Sequence, residues 1–169
     1  MIDPHRLAAL AVTAFALIVV PGPSVLFVIS RSVVHGRRAG LATVAGNAAG
    51  LAVQVVAVAL GLGALVAGSV AAFTVVKVAG AAYLVFLGIN AVRNRGSLAT
   101  AFGTPEAVPL GRILREGFLV GVTNPTTLVL FTAVLPQFVD PRGAASALQL
   151  LALGALVVAI ALVSDSVWA

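Results

Sequence analysis

The sequence predicts an all-α, polytopic membrane protein, a single membrane domain over residues 1–169. Three observations carry that prediction. Hydrophobic residues make up 61% of the chain and charged residues only 9%, whereas a soluble domain needs roughly a quarter of its residues charged to cover its surface. Mean hydropathy is +1.16. The few charges cluster, leaving charge-free runs at 7–30, 39–76, 78–92, 117–139 and 143–164, and crossing bilayer hydrocarbon takes roughly 20 apolar residues at a rise of about 1.5 Å each.

Five spans follow in order. The first, 7–30, is read as a retained helix, because Arg6 alone precedes it and a secretory signal has a more basic start and a shorter apolar core. The 39–76 run is too long for one crossing, roughly 60 Å by helical rise. Gly61, Gly63, Gly68 and Ser69 predict a turn within it, giving spans at 40–63 and 70–92. The last two spans are 117–137 and 146–169. The loops after spans one and three carry Arg31, Arg37, Arg38, Arg93, Arg95, Arg112 and Arg115, seven of the ten basic residues. The positive-inside rule makes that side cytoplasmic and turns the N-terminus, the turn near Gly68 and the 136–143 loop outward, to the periplasm.

The net charge of +5 is thereby explained by orientation. Nucleic-acid binding would require a basic stripe with interleaved aromatics, so no nucleic-acid partner is expected; the lipid bilayer is. The chain has no cysteine, which excludes disulfides and thiolate metal sites.

Two of the spans are broken. Pro21-Gly22-Pro23 interrupts the first; each proline removes an amide hydrogen and obstructs the carbonyl four residues back, freeing the carbonyls of Leu17 and Val19. At membrane depth unpaired backbone is tolerated only where it is buried in protein or lines a wet cavity. Thr123-Asn124-Pro125-Thr126-Thr127 interrupts the fourth span about 100 residues later. Ala14-Phe15 precedes Pro21 at the distance at which Gly117-Phe118 precedes Asn124. Breaks in corresponding spans of two halves point to a transporter binding site at a repeat interface. The predicted organisation is therefore a first repeat over 1–95, a cytoplasmic loop over 93–116 and a second repeat over 117–169. With three spans per half the second is inverted, and an inverted 3+3 arrangement leaves this chain one helix short. The alternative is a five-span protein completed as a homodimer.

A zwitterionic amino acid suits such breaks. Amides at 24–26, from Ser24 onward, or at 126–128, from Thr126 onward, would take its carboxylate, and the carbonyls of Leu17, Val19 and Gly121 its ammonium. Asn124 adds a neutral donor and acceptor. Asn47 and Gln54, seven apart, share one face of the second span and either line a cavity or bond a neighbouring helix. Gly46 and Gly50 beside them favour close packing. Lys77, the sole lysine, either snorkels outward or meets a carboxylate. Asp165 is the only acid in an apolar run, a proton or ammonium partner by default, or else a solvated acid at the helix end near the inner interface. Arg112 and Arg115 are read as orientation signals on an interfacial stretch.

Taken in order, Pro21-Gly22-Pro23, Ser30-Arg31-Ser32, Gly36-Arg37-Arg38-Ala39-Gly40, Gly46 and Gly50 resemble the first half of the LysE/RhtB family of amino-acid exporters. Lys77-x-x-Gly80-x-x-Tyr83-Leu84-x-x-x-Gly88, Gly117-Phe118, Asn124-Pro125, Pro136-Gln137-Phe138 and the Asp165/Trp168 pair resemble its later landmarks. The resemblance, which runs from about residue 7 to the end, implies a proton-driven exporter of an amino acid in the bacterial inner membrane. It adds Tyr83 and Pro125 to the substrate-binding candidates. Two departures stand out: Thr126 occupies a position where the family usually has lysine, and the family's sixth segment is missing, as in a truncated and inactive product.

The expected function is thus secondary export of an amino acid or a similar metabolite, with no cofactor, no metal and no enzymatic activity. No G-x-x-x-x-G-K-[ST] phosphate loop occurs, and His5 and His35 both lie outside the predicted spans. The competing readings are a scaffold subunit that does not transport, a membrane enzyme and a metal exporter; the last is disfavoured by the missing cysteine and the sparse acids.

Overall fold

A computed structural model describes residues 4–19, 22–61, 108–140 and 146–169, together with eight positions between 71 and 89. Pro21, Lys77 and Tyr83 lie outside the described residues, as do the 93–107 part of the predicted cytoplasmic loop and most of the third predicted span. The eight described positions of that span, from Ala71 to Ile89, are helical. Among the described residues all regular structure is helical.

The first span is two helices, α1 (Pro4–Val19) and α2 (Pro23–His35), bent by 57°. Gly36 then turns the chain with φ +81°, a backbone conformation open to glycine at little cost, and its carbonyl accepts from the amides of Ala39 and Gly40. α3 (Arg37–Ala59) follows at once. α4 (Leu110–Val122) and the helical stretch Pro125–Phe138, which begins with α5 (Pro125–Val129), form the second bent pair, at 44°. Beyond α5 the helix widens to a π-helical turn over Leu130–Val134 and tightens to a 3-10 turn over Leu135–Phe138. Pro136 accounts for this: it has no amide for the carbonyl of Thr132 and its ring crowds that carbonyl, so the ladder shifts register ahead of it. α6 (Ser146–Trp168) completes the described chain.

α3 and α6 are each long and apolar enough to cross a membrane, and each bent pair passes the same test as one broken span. Several boundaries shift by a few residues: α1 starts at Pro4 and α3 spans Arg37–Ala59, and two larger differences stand out. α2 runs on to His35, and α4 starts at Leu110, several residues before the charge-free run. Charges near a helix end do not stop it, because long arginine side chains reach the interface while the backbone stays helical.

α3 is the centre of the bundle, packed against α4, α6 and α2, with α1 laid along α6. Its contact with α4 is built from glycines on both helices. Gly46 and Gly50 lie against the backbone at Leu114, Phe118 and Val122, while Gly117 and Gly121 lie against the backbone of Thr43 and Asn47. With no solvent to expel, helices in lipid associate by close packing, which small residues permit. The core joins Leu10 and Ala14 of α1, Leu51 and Val55 of α3, Phe131 and Leu135, and Leu153 and Val157 of α6. Facing outward are Val12, Val33, Val163 and Val167, each more than two-thirds exposed, a surface suited to lipid. The chain is an all-α polytopic membrane protein.

Candidate functional site

Both breaks open on one cavity of about 420 Å³. Gly22, Pro23 and Ser24 approach it from the first, Asn124 and Thr126 from the second, and Asn47 of α3 and Asp165 of α6 from the side. Seven residues predicted from the sequence to contact substrate thus surround a single space. The amide of Asn124 reaches across from the second break to the Ser24 hydroxyl at 3.4 Å, a direct though long contact between the two.

The breaks are chemically unlike. At α2 the N-cap is Gly22, which has no side chain to cap the helix, and Pro23 in the first turn has no N–H. The Leu26 amide reaches the Gly22 carbonyl at 3.1 Å, and among the described residues the amides of Ser24 and Val25 meet no acceptor. Both Ser24 and Val25 line the cavity, so the positive end of α2 faces it without a side-chain cap.

At α5 the backbone is occupied. Asn124 Oδ1 accepts from the Thr126 amide at 3.0 Å, an N-cap. The Gly121 carbonyl accepts from the Asn124 amide at 3.3 Å. Gln54 Nε2 donates to the carbonyls of Val122 and Asn124 at 3.0 and 3.2 Å, and its Oε1 accepts from the Thr127 hydroxyl at 2.8 Å. The expectation that Thr126 and Gly121 offer free backbone groups is corrected accordingly: these groups are used internally. Gln54 and Pro125 are not among the cavity-lining residues; Gln54 fastens the break from behind and Pro125 starts α5.

The same cavity is lined by a carboxylate. Asp165, three residues before the end of α6, is only 3% exposed, so it is not a solvated acid; it packs against α3. Asn47 Nδ2 donates to Asp165 Oδ2 at 3.1 Å. Asn47 is equally buried, and its Oδ1 has no hydrogen-bond partner among the described residues. A buried acceptor left unpaired costs on the order of 1–3 kcal/mol, which a donor entering the cavity would recover. Asp165 and Asn47 Oδ1 together form an acceptor-rich pole.

Residues that the sequence did not single out complete the site. Thr127 lines the cavity and binds Gln54; its place three residues after the capping Asn124 is the only signal for it. Ile18, Leu51, Leu130 and Val134 supply apolar walls together with Leu17, whose carbonyl the break at Pro21 had already pointed to, and nothing in an alternation of Leu, Val and Ala distinguishes the other four from lipid-facing neighbours. Two arginines read as orientation signals also make ion pairs. Arg31 of α2 pairs with Glu116 of α4, and Arg112 joins it at 3.0 Å. The Arg31 guanidinium lies 5.0 Å from the centre of the Phe27 ring. The Arg31 and Glu116 side chains are 20% and 12% exposed, so one charge contact ties the two broken spans together.

A family model described as LysE type translocator matches residues 15–169. The chain belongs to the LysE type translocator family. Among the relatives of this translocator is an uncharacterized membrane protein of Vibrio cholerae, 41% identical over 139 residues, covering 82% of this chain and 67% of the relative. The homoserine/homoserine lactone efflux protein of Salmonella typhimurium is 35% identical over 134 residues, covering 79% of this chain and 65% of the relative. The leucine efflux protein of the same organism is 29% identical over 129 residues, covering 76% and 61% respectively. The translocator therefore matches somewhat less than two thirds of the length of these efflux proteins. No solved structure matches it.

Proposed function

We propose that this translocator exports a zwitterionic amino acid by secondary transport across the bacterial inner membrane. One observation carries the reading: a cavity between two broken helices is lined by the first turn of α2, which has no side-chain cap, and by a buried carboxylate beside an amide oxygen with no partner among the described residues. The α-carboxylate of a substrate fits the amides of Ser24 and Val25, where hydrogen bonds and the α2 dipole both favour an anion. Its α-ammonium fits Asp165 and Asn47 Oδ1, which turns a costly buried charge into a paired one. Asn124 and Ser24, which touch across the breaks, sense movement of either half against the other. The relatives named as homoserine and leucine efflux proteins support an amino acid as cargo.

Export is driven by the proton gradient, with Asp165, the only acid in an apolar run, exchanging proton for ammonium. The two halves are inverted repeats, and the basic loops face the cytoplasm, leaving the N-terminus periplasmic.

The decisive experiment measures efflux of radiolabelled L-homoserine and L-leucine from proteoliposomes containing this chain. Efflux of at least one substrate is expected to exceed that of protein-free vesicles and to accelerate under an imposed pH gradient. Asp165→Asn is expected to lower it by about tenfold or more, since one charge-assisted contact contributes roughly 1.5–3 kcal/mol. Full retention of efflux by a well-folded Asp165→Asn protein would remove Asp165 from the mechanism.

A further inference from the structure

The cavity lies at the two breaks, and α2 and α4 run from those breaks to the basic end of the molecule. Arg31 stands eight positions after Pro23, and Glu116 eight before Asn124. Each is thus roughly 12 Å by helical rise from its own break, on the side that carries Arg37, Arg38, Arg112 and Arg115. Their ion pair joins α2 to α4 at that depth. Each partner is held in turn. Arg31 also donates to His35 Nε2 at 3.3 Å and lies over the Phe27 ring, while Glu116 Oε1 accepts from Arg112 Nε at 3.0 Å.

Another face of α2 is fastened too. Val25 lines the cavity, and Val28, one turn on, is wholly buried. Ser32 and Ala169 both approach Gly40 of α3 so closely that a Cβ there would run into the Ser32 hydroxyl and lie 3.1 Å from the Ala169 Cβ. Between the cavity and the basic end, α2 is therefore clasped to α3, to α4 and to the residue that follows α6.

The two contacts of α4 differ in kind. It meets α3 backbone to backbone through four glycines, a close packing that cannot loosen without opening a void. It meets α2 through the tips of two long, partly exposed side chains, which can exchange each other for water at modest cost. At its other end α2 starts from Gly22 and Pro23 with no side-chain cap, and proline leaves that turn a hydrogen bond short. α2 is the segment built to move, and the break is the place for it to pivot.

In the transport reading above, on which this inference rests, the cavity opens to one side of the membrane at a time. We infer that α2 is the gate on the basic side, cytoplasmic in the proposed topology, and that Arg31 and Glu116 are its latch. Swinging α2 away from α4 about Gly22-Pro23 admits cargo, and re-forming the pair shuts the cavity. Arg31 thereby takes part in the transport cycle besides marking orientation.

Thr126→Cys places the chain's only thiol in the cavity wall. Its reaction with a membrane-impermeant maleimide is followed from the membrane face at which Arg38→Cys reacts, whichever face that is. Labelling is expected to be slow with the latch intact and about fivefold or more faster when Glu116→Gln is added. It is expected to be slow again when Arg31→Glu and Glu116→Arg exchange the two charges. Arg112→Gln removes a pair within α4 that joins no second helix, and is expected to leave the rate within about twofold. Fast labelling with the latch intact, or an unchanged rate in Glu116→Gln, overturns the gate. So does a rate that stays high after the charge exchange, which would make the Glu116→Gln effect a general loosening of the fold. The readout needs no cargo. An unchanged rate alongside continued amino-acid efflux removes the gate and leaves export standing; a latch-dependent rate in a chain that moves no amino acid retains the gate and removes the export reading.

Discussion

Gln54 shows how a single side chain can set the chemistry of a site it does not line. Its amide group caps the carbonyls of Val122 and Asn124 and accepts from Thr127, so three groups at the second break are satisfied by one residue. Gln54→Leu, similar in volume, would take the Gln54 donor from the Val122 carbonyl in a buried setting, while the Asn124 carbonyl keeps the Leu128 amide and the Thr127 hydroxyl, each at 3.1 Å. The expected loss is about 1–3 kcal/mol of stability, read as a lower Tm in detergent, with Gln54→Glu intermediate because it keeps an acceptor for Thr127. An unchanged Tm in Gln54→Leu would mean that water takes over the role. The contrast with Asn47 is instructive. Both lie on one face of α3, as their spacing of seven predicts, yet Gln54 is saturated by two carbonyls and the Thr127 hydroxyl while Asn47 Oδ1, beside Asp165, has no partner among the described residues. Sequence spacing identified the face; the neighbouring helices decided which residue was left with capacity for a ligand.

At the scale of elements, the helix breaks were legible because proline's chemistry is local. A missing amide and a ring in the way of a carbonyl act within four residues whatever the tertiary fold. Which break would remain open was not legible, since that depends on Gln54 arriving from another helix. The α3–α4 contact was legible only in part. Gly46 and Gly50 announce a close approach, but their partners Gly117 and Gly121 could be paired with them only once the backbones were in place. The interface makes a sharp prediction within one helix. A Cβ at Gly121 would run into the backbone of Asn47, whereas one at Gly111 would meet nothing within 4 Å. Gly121→Ala is expected to destabilise by about 1–3 kcal/mol through overpacking, and Gly111→Ala to be neutral or stabilising by up to about 1 kcal/mol through helix propensity. Thermal unfolding of the two variants side by side checks this. Equal shifts would show that α3 and α4 are not in backbone contact.

For the molecule as a whole, orientation is the property that distributes its ten basic residues. A cysteine-free chain makes it easy to measure, because any introduced thiol is the only one. Arg38→Cys and Gln137→Cys lie at exposed positions, on opposite sides of the membrane in the proposed topology. In intact spheroplasts a membrane-impermeant maleimide is expected to label Gln137→Cys and to reach Arg38→Cys only after lysis; the opposite pattern would invert the orientation. Membrane residence, the helical class and the two breaks were determined by the sequence alone, because hydropathy, charge position and proline act locally or on average along the chain. The cavity was decided by tertiary structure. Asp165 and Asn47 are 118 residues apart, Ser24 and Asn124 are 100 apart, and only the packing of α6 and both broken spans around α3 turns these scattered polar groups into one two-poled space. Local chemistry specifies where a helix must break; burial, which depends on every neighbour, specifies what that break can bind.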